Sequence, residues 1–170
     1  MNLPFAERFS MVRWSPAGAG GLVESLFLKL NLPELPASFW ARYTLRRPFP
    51  GHGEPEGGLW AVWTDRSGPP AGGFDAFPAS DIAVGRQRFY VRIGPGEMSM
   101  GRAAGRVSAG GGLEWDLTFE TGSASLAHFA FDSMYTSAFP RNKVVSPHVS
   151  TRFYGMVRVG GRVRSGPVNP

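Results

Sequence analysis

The sequence predicts an all-β protein folded as an antiparallel barrel, and three features of the chain lead to this prediction. Aromatic and β-branched residues are concentrated in short runs, apolar and polar residues alternate within those runs, and Gly and Pro fall between them. The 170 residues suffice for one domain with a substantial core. We therefore expect a leader at 1–21, a β domain at 22–165 and a tail at 166–170.

The first predicted strand, Leu22–Asn31, follows a leader that contains a flexible Gly-rich turn. Alternation places Leu22, Leu26, Leu28 and Leu30 on one face, together with Glu24, and opposes them with Val23, Ser25, Phe27 and Lys29. A helix is the competing interpretation, because Leu and Glu favour helices. The run is short and ends at Asn-Leu-Pro, which favours a strand.

Two strands rich in aromatic residues follow, at 38–47 and 58–66, joined by a loop rich in Pro and Gly. In the first strand an apolar row alternates with a mixed row that contains Trp40 and Arg42. The second strand has large apolar side chains on both faces. Such strands suit a wall with the core on one side and a partner or ligand cavity on the other.

The rest of the chain is predicted to contain short strands separated by loops. Residues 74–81 are expected to be irregular or a single turn, and 124–150 to be irregular. Strands are predicted at 88–93, 98–107, 113–120, 151–159 and 162–164, with the last two joined by a Gly-Gly turn. About seven or eight strands result, which leaves a sandwich or a barrel. A barrel of about eight strands encloses one small ligand, and aromatic residues on both faces favour it.

Composition argues against several classes of function. The net charge is +5, but the basic residues are scattered rather than clustered, so we expect no nucleic-acid partner. Without Cys there is no disulfide or thiolate, and the three His lie outside metal-binding spacings, so neither a metal nor a cofactor is expected. The absence of a secretory pattern, and of the about 20 apolar residues that a membrane span needs, predicts a cytoplasmic protein.

The candidate site residues are aromatic and basic. An apolar pocket would be lined by large rings, which gives as ligand-binding candidates Trp40, Tyr43, Trp60, Trp63 and Trp115. Core packing is the alternative and must hold for at least two of the Trp residues. Groups that could orient a polar head group or act as a general acid are Arg42, Arg141 and His148. The alternative is that Arg141 is solvated and that Ser146–His148 only turns the chain.

Several stretches together resemble a known family, namely Glu24–Asn31, Phe39–Leu45, Leu59–Asp65, Leu113–Leu117 and Phe139–His148. They are similar to the N-terminal lipocalin-like domain of hydroxyneurosporene synthase (carotenoid hydratase), AttH-like bacterial proteins and fungal lipocalin-like Diels-Alderases. The resemblance implies a calycin-type barrel that holds a terpenoid, carotenoid or polyketide-like molecule without metal or nucleotide. Relatives continue into a second barrel. We therefore expect this chain either to form a homodimer or to lack a C-terminal barrel, and the resemblance leaves open whether its own barrel is complete.

The leading functional hypothesis is a lipocalin-like domain that binds a hydrophobic small molecule. Whether it also hydrates or cyclises that molecule, as a hydratase or cyclase would, is left open. One alternative is a non-enzymatic ligand carrier or interaction module. A further alternative is a basic surface that binds nucleic acid.

Overall fold

The computed structural model describes residues 10–32, 35–121 and 124–164. The first four strands pair consecutively and antiparallel to form sheet I. They are β1 (Leu22–Leu32), β2 (Ala37–Arg47), β3 (Glu56–Asp65) and β4 (Ala71–Pro78). Their central members combine aromatic and β-branched residues with an alternating burial pattern, as expected for strands with one face on the core.

The later strands form sheet II, in the order β13-β12-β9-β8-β7-β6-β5. They are β5 (Ile82–Val84), β6 (Tyr90–Ile93), β7 (Gly96–Ser99), β8 (Arg102–Val107), β9 (Leu113–Phe119), β12 (Phe153–Val159) and β13 (Arg162–Arg164). Between β9 and β12, the short strands β10 (Leu126–Ala127) and β11 (Val145–Ser146) pair with each other. A single helical turn, α1 (Ser133–Thr136), lies between them.

The core lies between the two sheets and is tied together by the phenol of Tyr43. Its oxygen lies 2.7 Å from the carbonyl oxygen of Ala104 and 3.0 Å from that of Glu97, both in sheet II. Trp115 Nε1 donates to the same phenol oxygen at 2.9 Å. The ring of Phe39 lies 5.8 Å from the Trp115 ring, between centroids. Large side chains therefore meet at the centre, and their polar atoms are satisfied there.

The all-β class is confirmed, but closure into a barrel is not observed. The described strands form open sheets, and the outermost strands are β1 and β4 in sheet I and β5 and β13 in sheet II. Apolar and polar residues alternate in the same way in a sandwich and in a barrel. The pattern therefore cannot predict whether the outermost strands pair with each other to close a barrel. At β4 the polypeptide at Ala109–Gly111 packs against the strand, where a Cβ added to Gly110 would clash with the carbonyl of Gly72. The homodimer or missing barrel stays a prediction.

Two local predictions were wrong. Residues 74–81 are not irregular, because β4 covers most of them and pairs with β3 before a 3₁₀ turn at Ala79–Asp81. Residues 98–107 are not one strand but parts of β7 and β8, which pair antiparallel across a tight turn. The strands at 22–31 and 113–120 and the final Gly160–Gly161 hairpin are confirmed.

The described part of the leader packs against the domain instead of forming a loose extension. Trp14 is buried in the core cluster, and both carboxylate oxygens of Glu24 accept from the Arg13 amide, at 2.9 and 3.0 Å. Arg47 donates to the carbonyl oxygens of Ser15, Ala17 and Gly20. The predicted tail at 166–170 lies outside the described residues. In the described ranges, no helix has the length and apolar character needed to cross a bilayer.

Candidate ligand-binding site

The face of sheet I that points away from the core carries a row of large side chains across all four strands. Strand register places one residue from each strand in line, namely Phe27, Arg42, Trp60 and Phe74. Phe27 is 62% exposed, Trp60 39% and Phe74 41%. These four residues, with Trp40 from the next row, are called the aromatic face below. Exposed rings that lie side by side on one sheet mark a surface suited to binding.

Trp60 and Phe74 form a stacked pair of rings on the aromatic face. Their ring centroids lie 4.2 Å apart with 35° between the ring planes, so each ring covers part of the other. Gly58 makes this arrangement possible, because a Cβ at that position would lie 2.5 Å from a carbon of the Phe74 ring. The missing side chain lets the Phe74 ring lie over Gly58 against the indole. The parts of the two rings that stay exposed offer apolar surface to a further molecule.

Arg42 supplies the positive charge of the aromatic face. Its Nε and Nη2 donate to Ser25 Oγ at 3.2 and 2.7 Å, across the β1–β2 pair. This contact anchors the guanidinium on the sheet surface beside β1, one row away from Phe27. Trp40 occupies the neighbouring row, where its strand partners are Lys29 and Val62. A basic group thus stands within an apolar surround.

The strands of sheet I end at an open groove of about 450 Å³, which continues the outer face beyond Trp40. It is lined by Asn31, Leu32, Pro36, Ala37, Ser38, Thr64, Asp65 and Arg66. Ser38 Oγ and Thr64 Oγ1 share a hydrogen bond of 2.7 Å. Hydrogen bonds from Ser67 and from Trp63 Nε1 hold the pKa of Asp65 at about 2. The groove is therefore polar, and its carboxylate is ionised at neutral pH.

The ligand-binding candidates divide between the two faces of sheet I and the core. Trp40 and Trp60 lie on the outer face with Arg42, as strand alternation requires. Tyr43, Trp63 and Trp115 point inward and are at most 4% exposed. Burial raises the pKa of the Tyr43 phenol. The inward three pack the core in this structure, and ligand contact by them stays a prediction.

The remaining candidates lie in the segment between β9 and β12. Arg141 is exposed, whereas His148 is half-buried with its ring 5.5 Å from the Phe119 ring. Burial lowers the pKa of His148. Lys143, which lies between them in the chain, donates through Nζ to the carbonyl oxygens of Met134 and Ser137 at the end of α1. No described contact joins Arg42 to Arg141 or His148.

Sequence reasoning missed two members of the aromatic face and one polar cluster. Phe27 alternates onto the outer face and was placed there, but it was not selected as a site residue. Phe74 was missed because its strand was not recognised. In the polar cluster the Tyr135 phenol accepts from the amides of His128 and Phe129, and His128 Nε2 lies 3.0 Å from Ser146 Oγ. Nothing in the spacing of these residues indicates that contact.

Among the described residues, no three His, Asp or Glu side chains are grouped so that they could hold a metal ion. The exposed rings and the basic group of sheet I form the candidate site. Comparisons with family models, with curated proteins and with solved structures find no match to this chain.

Proposed function

We propose that this protein is a β domain that binds a hydrophobic small molecule on the outer face of sheet I. The observation that carries the proposal is the row formed by Phe27, Arg42, Trp60 and Phe74, one residue from each of four strands, in which the three aromatic rings are exposed. Contiguous exposed rings are costly in water unless something covers them, and ligand-binding surfaces are a common reason for keeping them. A terpenoid, carotenoid or polyketide-like molecule offers the apolar area to cover them.

The lipocalin-like, calycin-type relation is part of the same proposal. Strands within sheet I pair in chain order, and so do β5 to β9 in sheet II, which is the up-and-down order of that class of fold. The relation implies the same class of ligand as the aromatic face does. Our proposal differs in placing the ligand on the outer surface, because the interior centre is filled by Phe39, Tyr43 and Trp115.

Ligand binding without catalysis requires fewer functional side chains at the site than an enzymatic reaction does. A hydratase or cyclase needs an acid or a cation-stabilising group held against the reacting atoms. Of the predicted catalytic residues, Arg42 alone lies on the aromatic face. An arginine remains protonated at physiological pH, so it orients a ligand more readily than it delivers a proton. We therefore propose a ligand carrier or interaction module in preference to an enzyme.

The test uses 1-pyrenebutanol, a neutral molecule with a flat apolar body whose emission reports the polarity around the ring. We expect saturable binding, and we expect Trp60→Ala and Phe74→Ala each to weaken it about tenfold, which corresponds to about 1.4 kcal/mol. The matched control is Phe131→Ala, which removes an aromatic ring that is 68% exposed outside sheet I. Circular dichroism checks that each variant is folded. Absence of saturable binding, or equal weakening by Phe131→Ala, would contradict the proposal.

A further inference from the structure

The guanidinium of Arg42 has unused hydrogen-bonding capacity that points to the chemistry of the ligand. An arginine carries five N–H donors, and Ser25 Oγ accepts one from Nε and one from Nη2. In the described part of the chain, nothing accepts from the other three. These belong to Nη1 and to the second hydrogen of Nη2, which together form the forked end of the group. That fork matches the two oxygens of a carboxylate.

The charges on the outer face of sheet I favour an anion at the same place. Arg46 and Glu56 lie one strand apart and form an ion pair of 2.8 Å, so they neutralise each other. Arg42 and Lys29 are the two other basic residues on this face, and among the described residues no carboxylate lies within ion-pair distance of either. The aromatic face therefore has an uncompensated positive charge.

From these observations we infer that the ligand is an amphiphilic acid, with a flat apolar body on Trp60 and Phe74 and a carboxylate on the fork of Arg42. The inference rests on the proposed function and adds the chemical class of the head group. Neighbouring strands lie about 4.8 Å apart, so the backbone of Arg42 lies about 5 Å from that of Trp60 and about 10 Å from that of Phe74. The apolar residues beside Arg42 reduce water around the ion pair and thereby strengthen it.

A single-stranded nucleic acid is the other ligand that combines flat rings with negative charge. Such a strand presents a phosphate at every nucleotide and is held by grooves with many basic groups. Among the described residues on the outer face of sheet I, the basic groups that are not in an ion pair are Arg42 and Lys29. One forked donor set with one nearby lysine fits a single carboxylate better than a chain of phosphates.

The experiment compares 1-pyrenebutyrate with 1-pyrenebutanol, which share the ring body and differ in the head group. We expect the unchanged protein to bind the acid about tenfold more tightly than the alcohol. In Arg42→Gln this preference disappears, and because the preference is the ratio of two affinities measured on the same variant, it does not depend on how tightly that variant binds the alcohol. Circular dichroism checks that the variant is folded. The control, Arg86→Gln, removes an exposed arginine outside sheet I and keeps the preference.

Each other outcome has a distinct meaning. Equal binding of both probes, or a preference that survives Arg42→Gln, overturns the carboxylate inference and leaves the proposed function standing. Failure of both probes to bind overturns the proposed function itself, and the inference with it. A fluorescein-labelled oligothymidylate that binds at physiological salt and displaces the acid would overturn the carboxylate in favour of a nucleic acid.

Discussion

Replacing Tyr43 with Phe tests whether its phenol holds the two sheets together. The substitution keeps the ring and removes the acceptor of Trp115 Nε1, along with the hydroxyl that donates to sheet II carbonyls. One proton cannot serve both carbonyls at once, so we count one lost donated bond, at about 1 kcal/mol, and one orphaned buried indole N–H, at about 1–3 kcal/mol. We expect the free energy of unfolding to fall by about 2–4 kcal/mol.

The assay is urea denaturation followed by tryptophan fluorescence and by circular dichroism, with thermal unfolding in parallel. A loss of this size lowers the unfolding midpoint of a chain of this length by about 4–16 °C. The control, Tyr154→Phe, makes the same chemical change at an exposed residue whose hydroxyl donates to Glu120. We expect it to change stability by less than about 0.5 kcal/mol. Equal effects of the two substitutions would refute the role given to the Tyr43 phenol.

Two further predictions concern stability alone. Burial lowers the pKa of His148 below its ordinary 6.5, so near that pH the unfolded chain binds more protons at this residue than the folded chain does. The free energy of unfolding therefore falls as the pH drops from about 7.5 to about 5.5. Over this interval the melting temperature should fall less in His148→Gln than in the unchanged protein or in the control His52→Gln. In urea denaturation, Gly110→Ala should lower the free energy of unfolding by at least about 2 kcal/mol more than Gly111→Ala does. Both glycines have a positive φ, but a Cβ at Gly110 would clash with the carbonyl oxygen of Gly72, whereas a Cβ at Gly111 would meet nothing within 4 Å. A pH response of His148→Gln that matches the unchanged protein, or equal costs for the two alanines, would show these explanations to be wrong.

The strands that could be predicted are those whose alternation is uninterrupted. Residues 113–120 and 38–47 alternate cleanly, and the structure buries the residues expected to face inward. The strand β4 was missed because it contains Gly72 and Gly73 and ends at Pro78, and these residues ordinarily weaken or end strands. Pairing with β3 and the contact of Phe74 with Trp60 outweigh that local preference. Such long-range contacts cannot be predicted from the sequence of a single segment.

The candidate site was partly predictable for the same reason. Alternation within β2 correctly placed Trp40 and Arg42 together, opposite Tyr43. It could not say which of the two faces would be covered, because that depends on how the sheets pack. The unused donors of Arg42 were likewise beyond prediction, since they depend on the position of Ser25 in a neighbouring strand.

The aromatic face lies open to solvent in the described structure, and this has a kinetic consequence. A molecule held inside a closed barrel escapes only when strands or loops move apart, which slows its exchange. On an uncovered sheet, arrival requires only an encounter in the right orientation, and departure is governed by the strength of the contacts themselves. A ligand bound at the proposed site would therefore exchange quickly with the surrounding solution.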